Sequence, residues 1–271
     1  MAEQTDSTVF GDEFTRFVGY ESVRTSETTA SSWVPARADL LDADGALLPV
    51  VLSYLVDSTP GVVCGAAALP DWVITTDLHM QVFDRHVKGP VRADATLVHA
   101  NRVGVLAEVN VVDEGDGERL VATGSVNHAR VPLTGSLDVP IMPVGVRYHG
   151  PADAAPPGDR LAREIVFEPE AAGGEIGTAL TPLSTNPLGI MHGSVTSALS
   201  ISAATSCVGG DLKLTELLVR FCGSVRKGPA RANAELVRSD ESGSLVRVAV
   251  RDDSYPQRIA VLASVRFGSP G

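Results

Sequence analysis

The sequence predicts an α+β fold in which one architecture occurs twice, each time as a long antiparallel sheet wrapped around a single buried helix. Three observations predict it: an internal repeat, one strongly apolar run in each copy, and long segments of alternating apolar and polar residues. The repeat is decisive, since a repeat that goes unnoticed misassigns a whole fold. KGPVRADATLV, residues 88–98, recurs as KGPARANAELV, residues 227–237, with eight of eleven positions identical. The offset of 139 persists downstream, placing Gly104 on Gly243, Leu106 on Leu245, Ser125 on Ser264, and LVATGSV at 120–126 on IAVLASV at 259–265. Upstream the offset becomes 144 and pairs DADGALLPVVLSYLVDS, 42–58, with NPLGIMHGSVTSALSIS, 186–202, so the second copy has lost five residues after its helix.

Within each copy the elements follow one order. A strand-like stretch, VPARADL in copy one and GTALTPLS in copy two, leads through a glycine-containing turn into an apolar run of about fifteen residues, a helix length. LLPVVLSYLVDSTPGVV is hydrophobic nearly all round, as a buried helix should be, and Pro60 with Gly61 is expected to limit it. Its partner in copy two is rich in Ser, Ala and Thr, which permit close helix packing. Three alternating segments follow in each copy: VITTDLHMQVF, VRADATLVHANRVGVLAEVNVVD and RLVATGSVNHARV, then KLTELLVRFCGSV, ARANAELVRSDESGSLVRVAVRD and RIAVLASVRFG. Period-two alternation broken at Gly, Asp and Asn specifies antiparallel strands with one face buried. Between the copies, residues 132–160 carry six prolines and four glycines, which break long helices and central strands. The expected division is therefore an N-terminal repeat at 1–131, a linker at 132–160 and a C-terminal repeat at 161–271.

The net charge of -11 and pI near 5.0 disfavour an extended surface for nucleic acid or anionic membrane, because the field of the whole molecule repels phosphates. The N-terminus, MAEQTDSTVFGDEF, has neither the basic nor the apolar region of a secretion signal, and no segment offers the roughly 18 uncharged apolar residues of a membrane span, so a cytoplasmic location is expected. Cys64, Cys207 and Cys222 are too few and too scattered for a disulfide framework and have no metal-ligand spacing; they read as small buried hydrophobes. His79, His86, His99, His128 and His149 show no ligand spacing either, so no metal and no cofactor are expected. His79 shares a strand face with Asp77 and Gln81, read as facing solvent.

Strand, NPLGIMHG turn, buried helix and long antiparallel sheet with a KGP turn together resemble the hotdog-fold acyl-CoA thioesterases of the phenylacetate-degradation type. The resemblance covers residues 30–131 and 165–267, making the chain a tandem, or double, hotdog. It implies an active site across the interface between the copies. One partner is expected to supply an Asn and a His-Gly turn at a helix start, and the other an acid nine positions past its own equivalent of that His, with a Ser or Thr on the next strand. Copy two has Asn186, His192 and Gly193, but Ile201 stands at its acid position and Leu214 at its hydroxyl position. Copy one is the reverse, with Asp42, Leu48 and Pro49 in place of the turn residues, while Asp57 and Thr75 hold the acid and hydroxyl positions. The two halves make one complete site and one dead one. Ser194 departs from the second glycine of the family's turn.

The chemistry explains the residue types. Thioester hydrolysis passes through a tetrahedral oxyanion, and a free amide at a helix start stabilises it by about 3 kcal/mol. Gly193 has no side chain to hold the thioester carbonyl away from its amide. His192 would hold the turn or donate, Asp57 would serve as general base or nucleophile, and Asn186 and Thr75 would orient water or carboxylate. A carboxylate within an apolar run is expensive to bury, which marks Asp57 as functional. Basic residues beside the KGP turns, Arg85 and Lys88 in copy one and Arg226 and Lys227 in copy two, are candidates to bind the phosphates of coenzyme A, the substrate's own carrier. An acyl-CoA or acyl-carrier-protein thioester is thus the expected partner, and the exposed edges of two fused sheets are compatible with a homodimer of double hotdogs. The alternatives are an acyl-CoA-binding protein without turnover and a double-hotdog enoyl-CoA hydratase, the latter opposed by Ser184 and Gly189 where its acid and histidine would stand.

Overall fold

The computed structural model describes residues 12–132, 142–148, 160–169, 175–208 and 212–268. In copy one, α1 (Glu13–Val18) is followed by β1 (Glu21–Arg24), β2 (Thr29–Val34), α2 (Pro49–Ala68), β3 (Trp72–Val82), β4 (Val91–Ala100), β5 (Gly104–Asp113) and β6 (Arg119–Val131). β7 (Arg147–Tyr148) adds to the outer edge of β1. Copy two repeats the plan with α3 (Arg160–Glu164), β8 (Glu168–Pro169), β9 (Glu175–Thr178), α4 (Gly193–Thr205), β10 (Lys213–Phe221), β11 (Ala230–Asp240), β12 (Gly243–Asp252) and β13 (Ile259–Gly268). Much of the expected linker lies outside the described residues.

All thirteen strands form one sheet in the order β7-β1-β2-β4-β5-β6-β3-β10-β13-β12-β11-β9-β8. β3 pairs antiparallel with β10, Asp77 facing Arg220 and Gln81 facing Glu216, and this seam fuses the copies. α2 lies against β2 to β6, α4 against β9 to β13, and the two helices pack on each other. The repeat extends to the irregularities: register shifts at Thr75/Asp77, Leu97/His99 and Val111/Val112 recur, at the same offset of 139, at Leu214/Glu216, Leu236/Arg238 and Val250/Arg251. Inherited bulges of this kind re-aim side chains at fixed places on both sheets.

Three expectations need correction. VPARADL is not a strand; β2 ends at Val34, and Ala38–Leu40 form a 3-10 turn that buries Leu40. In GTALTPLS only the first two residues are strand, because Ser184 and Thr181 exchange hydrogen bonds in a turn instead. Pro60 does not end the first helix: α2 continues through it to Ala68. Burial of Val63, Cys64 and Ala68 under the curled sheet outweighs the roughly 3 kcal/mol that an interior proline costs. At 20 residues and mean hydropathy 1.4, α2 is long and apolar enough to cross a membrane, yet it is the enclosed core helix of copy one and carries Asp57.

The KGP turns are anchored from within. The buried Asp113 carboxylate accepts from the Lys88, Gly89 and Gly115 amides, and Asp252, also buried, from those of Arg226, Lys227, Gly228 and Ser254. Burial alone would raise the Asp252 pKa, but these amides hold it below the ordinary carboxylate range.

His128 on β6 is 4% exposed, faces Thr75 and Val105 across the sheet, and its Nδ1 has no partner among the described residues. Burial depresses its pKa to about 4, so folding requires the neutral ring. The unfolded chain binds the proton first, from about pH 6.5 downward. Stability should fall as the pH drops from 6.5 toward 4, by up to about 1.4 kcal/mol per pH unit. Denaturant unfolding of His128→Leu across this range should show that component of the slope removed.

Candidate active site

The site grows from two matching turns. Asp42 Oδ1 accepts from the Asp44 and Ala46 amides at 3.1 and 2.9 Å, and Asn186 Oδ1 from those of Leu188 and Ile190 at 3.0 and 3.3 Å. Each turn needs a left-handed residue, supplied by Gly45 (φ 81°) and Gly189 (φ 69°). The chain then enters its helix the same way twice, with Leu48 N bonded to Leu40 O and His192 N to Ser184 O, both at 2.9 Å. The difference is at the next residue. Gly193 opens α4, where first-turn amides have no intrahelical acceptor, whereas Pro49 opens α2 and has no amide hydrogen.

Helix packing across the seam brings Asp57 of α2 to the start of α4. A methyl group built on Gly193 would stand 3.2 Å from Asp57 Oδ2 and 3.2 Å from ring atoms Cε1 and Cζ of Phe221, at the end of β10. Thr75 of β3 donates its hydroxyl to Asp57 Oδ1 at 2.7 Å, fixing the carboxylate and leaving Oδ2 toward Gly193. Burial raises the Asp57 pKa, opposed by the Thr75 hydrogen bond and by the charge of His192. The result is a carboxylate more basic than an exposed aspartate, beside a helix N-terminus.

His192 is held from the far side by residues that sequence reasoning passed over. Its Nε2 lies 2.5 Å from Oδ2 of Asp12, and its ring packs against Phe14 and Tyr54 at centroid distances of 5.6 and 5.8 Å. Asp12 also caps α1, accepting from the Thr15 amide at 2.8 Å, while the Thr15 hydroxyl meets Tyr54 Oη at 2.6 Å. Burial works to raise the Asp12 pKa, but His192 and Thr15 together bring it below the ordinary value. Burial, with Asp12 nearby, pushes the Tyr54 phenol well up. Tyr20, also raised by burial, completes a polar chain through Ser32 at 2.8 Å to Ser22 at 3.0 Å. The one signal for this arm was Asp12 three residues before Thr15, a helix-capping spacing inside a stretch read only for the lack of a leader.

Asp57, Thr75, His192, Gly193 and Asp12 thus converge, while the other expected site residues stand apart in role. The side-chain oxygen of Asn186 is committed to its own turn, as that of Asp42 is in copy one. Arg85 bonds the Leu47 carbonyl and lies 3.5 Å from Asp42, and Lys88 pairs with Asp116 at 2.7 Å. Copy two's cations are differently placed: the Arg226 guanidinium donates to the Ser224 hydroxyl, and Lys227 lies over the Tyr255 ring at 5.4 Å. His79, read as solvent-facing, bonds Glu216 across the seam at 2.8 Å. Among the described residues no cluster of His, Cys, Asp and Glu could hold a metal ion.

Comparison with known proteins gives this geometry its family. A model of the acyl-CoA thioesterase N-terminal domain matches residues 181–268, and one of the acyl-CoA thioesterase C-terminal domain matches residues 7–125. A sequence search of curated proteins returns no match. Among solved structures, one from Lactobacillus plantarum assigned as an oleoyl thioesterase superposes with a TM-score of 0.62 at 10% identity, covering 92% of this chain and 100% of its own. An acyl-ACP thioesterase from Bacteroides thetaiotaomicron reaches 0.57 at 10% identity, covering 89% and 99%. The 12:0-ACP thioesterase from Umbellularia californica reaches 0.58 at 10% identity, covering 88% and 93%. At these identities the likeness is one of fold, the double hotdog. The two domain models together span most of the chain, so the protein belongs to the acyl-CoA thioesterase family and is a thioester hydrolase, with the family's two domains in reversed order along its sequence.

Proposed function

We propose that the chain hydrolyses acyl-CoA at one composite site, with Asp57 and Thr75 supplied by the first repeat and His192 and Gly193 by the second. The observation that carries this reading is Asp57 Oδ2 beside Gly193, set against a mirror position where Pro49 has no amide to offer and Ile201 replaces the acid. The thioester carbonyl oxygen accepts from the Gly193 amide, placing its carbon next to Oδ2. Thr75 pins the other carboxylate oxygen, and Oδ2 takes a proton from water or attacks the carbonyl itself. The tetrahedral oxyanion is stabilised at the helix start and collapses to expel the thiolate, which takes up a proton; by the water route this gives the free acid directly, and by the nucleophilic route an Asp57 anhydride that water then opens. His192, fixed by Asp12, holds the turn that presents the Gly193 amide. The reading needs no cofactor beyond the coenzyme A of the substrate, and a cytoplasmic location belongs to it.

For the carrier, Arg226 and Lys227 are better disposed than Arg85 and Lys88. They sit on the loop whose Val225 carbonyl bonds Met191, next to the His192 turn, and although their amides bond Asp252, neither side chain is paired with a carboxylate among the described residues. Coenzyme A phosphates would find unneutralised cations there and neutralised ones at the first KGP turn.

Thiol release from a panel of acyl-CoA esters should fall about a hundred- to ten-thousandfold in Asp57→Asn while ester binding persists. Unchanged turnover would move the chemistry elsewhere, and binding without turnover by the wild type would favour the acyl-CoA-binding alternative. Because the active form is the ionised one, activity should decline as the pH falls through a pKa above the ordinary aspartate value of about 3.9. The same raised pKa means that folding favours the protonated acid, a contribution complete below the unfolded value and lost as pH rises through the folded one. At pH 7 Asp57→Asn should therefore raise the melting temperature, each kcal/mol relieved being worth about 2–4 °C at this chain length.

Charge reversal by Arg226→Glu with Lys227→Glu should raise KM for acyl-CoA about tenfold and leave a short acyl-cysteamine ester unaffected. Equal effects on both esters would remove these residues from carrier binding.

A further inference from the structure

We infer that Phe221 is the specificity-determining wall of the site, and that it restricts the substrate to acyl groups unbranched at the carbon next to the thioester carbonyl. The inference rests on the reading that Gly193 and Asp57 are the site of hydrolysis. Phe221 ends β10 on the sheet's inner face, in step with the buried Leu217 and Val219, and its ring packs against the core beside the start of α4. Its Cε1 and Cζ and the Asp57 Oδ2 all come within 3.2 Å of the same point, the position of a methyl group on Gly193. A carbonyl oxygen on the Gly193 amide with its carbon beside Oδ2 thus leaves the adjacent acyl carbon against the ring edge. A methylene can pass there; a second substituent on that carbon meets the edge of a half-buried ring held against the core, where one methyl group is felt.

The mirror position supports this. At the offset of 139 that governs both copies, Phe221 corresponds to Val82 at the end of β3, a smaller side chain in the copy whose helix opens on Pro49, without an amide hydrogen. The larger ring therefore stands only where the catalytic set is complete.

The test is the ratio of kcat/KM for isobutyryl-CoA to that for butyryl-CoA, two esters that differ by one branch point at that carbon. The wild type should favour butyryl-CoA strongly. Phe221→Ala should raise the ratio at least about tenfold, within the range that one methyl group commands in a fitted pocket. Phe221→Val, which installs the residue of the mirror position, should shift it the same way and serves if the alanine variant folds poorly. Phe221→Tyr should leave it unchanged. A wild-type enzyme that takes both esters equally, or variants in which both rates fall by one factor, would overturn the inference and reduce Phe221 to packing. A wild type inert toward every ester would instead sink the hydrolytic site. The same ratio read calorimetrically as affinity for the two non-hydrolysable thioether analogues would then decide the role of Phe221 by itself.

Discussion

The antiparallel pairing of β3 with β10 sets the distances in this site. Each helix is held by the strands of its own copy, so the placement of α2 against α4 follows from how the two halves of the sheet join along one pair of strands. That register delivers Asp57 to the first residue of α4 and puts Phe221 at the same point. A slip of one residue would turn the inner face of β10 outward, taking Leu217, Val219 and Phe221 from core to solvent. Burial of that face therefore maintains the spacing of Asp57 from Gly193.

Around this seam the two copies have kept their scaffolding and differ in the side chains at the helix starts. The turns at Asp42 and Asn186, the amide bonds into each helix, the anchored KGP loops and three register shifts all recur. These features make the fold and tolerate little change. The residues that would act on a thioester occur once, split between the copies. The charged pocket is also reinforced once: α1 brings Asp12 and Phe14 onto His192, tying the first repeat's leading helix to the second repeat's turn.

Much of this was legible because it was written twice. A string identical at eight of eleven positions fixes an offset, and the offset aligns strands and helix starts without reference to any propensity. The same alignment exposed Asp57 opposite Ile201 and Gly193 opposite Pro49. What one sequence could not show lies where tertiary packing outweighs a local rule. Pro60 read as a stop because a proline costs a helix bond, but a helix enclosed by five strands bears that cost. Asn186 enters the site through the family resemblance, and what one sequence could not show is that its oxygen accepts from its own turn, as that of Asp42 does in copy one. Asp12 lies 180 residues from His192, and no local pattern encodes a contact of that range.

The seam also bears on how the chain is made. β3 is complete well before β10 leaves the ribosome, an interval on the order of ten seconds at ordinary elongation rates, and through it the seam edge of β3 is a bare row of backbone donors and acceptors. The most similar available partner is the β3 of a neighbouring nascent chain. Such a pair would bury its edges but face Asp57 with Pro49 on both sides, giving an assembly in which no amide hydrogen stands opposite the acid. The tether between the repeats counters this by making the correct partner intramolecular, at a millimolar effective concentration that separate chains in a cell do not approach. Fusing the repeats thus protects the enzyme against pairing with the wrong half of itself.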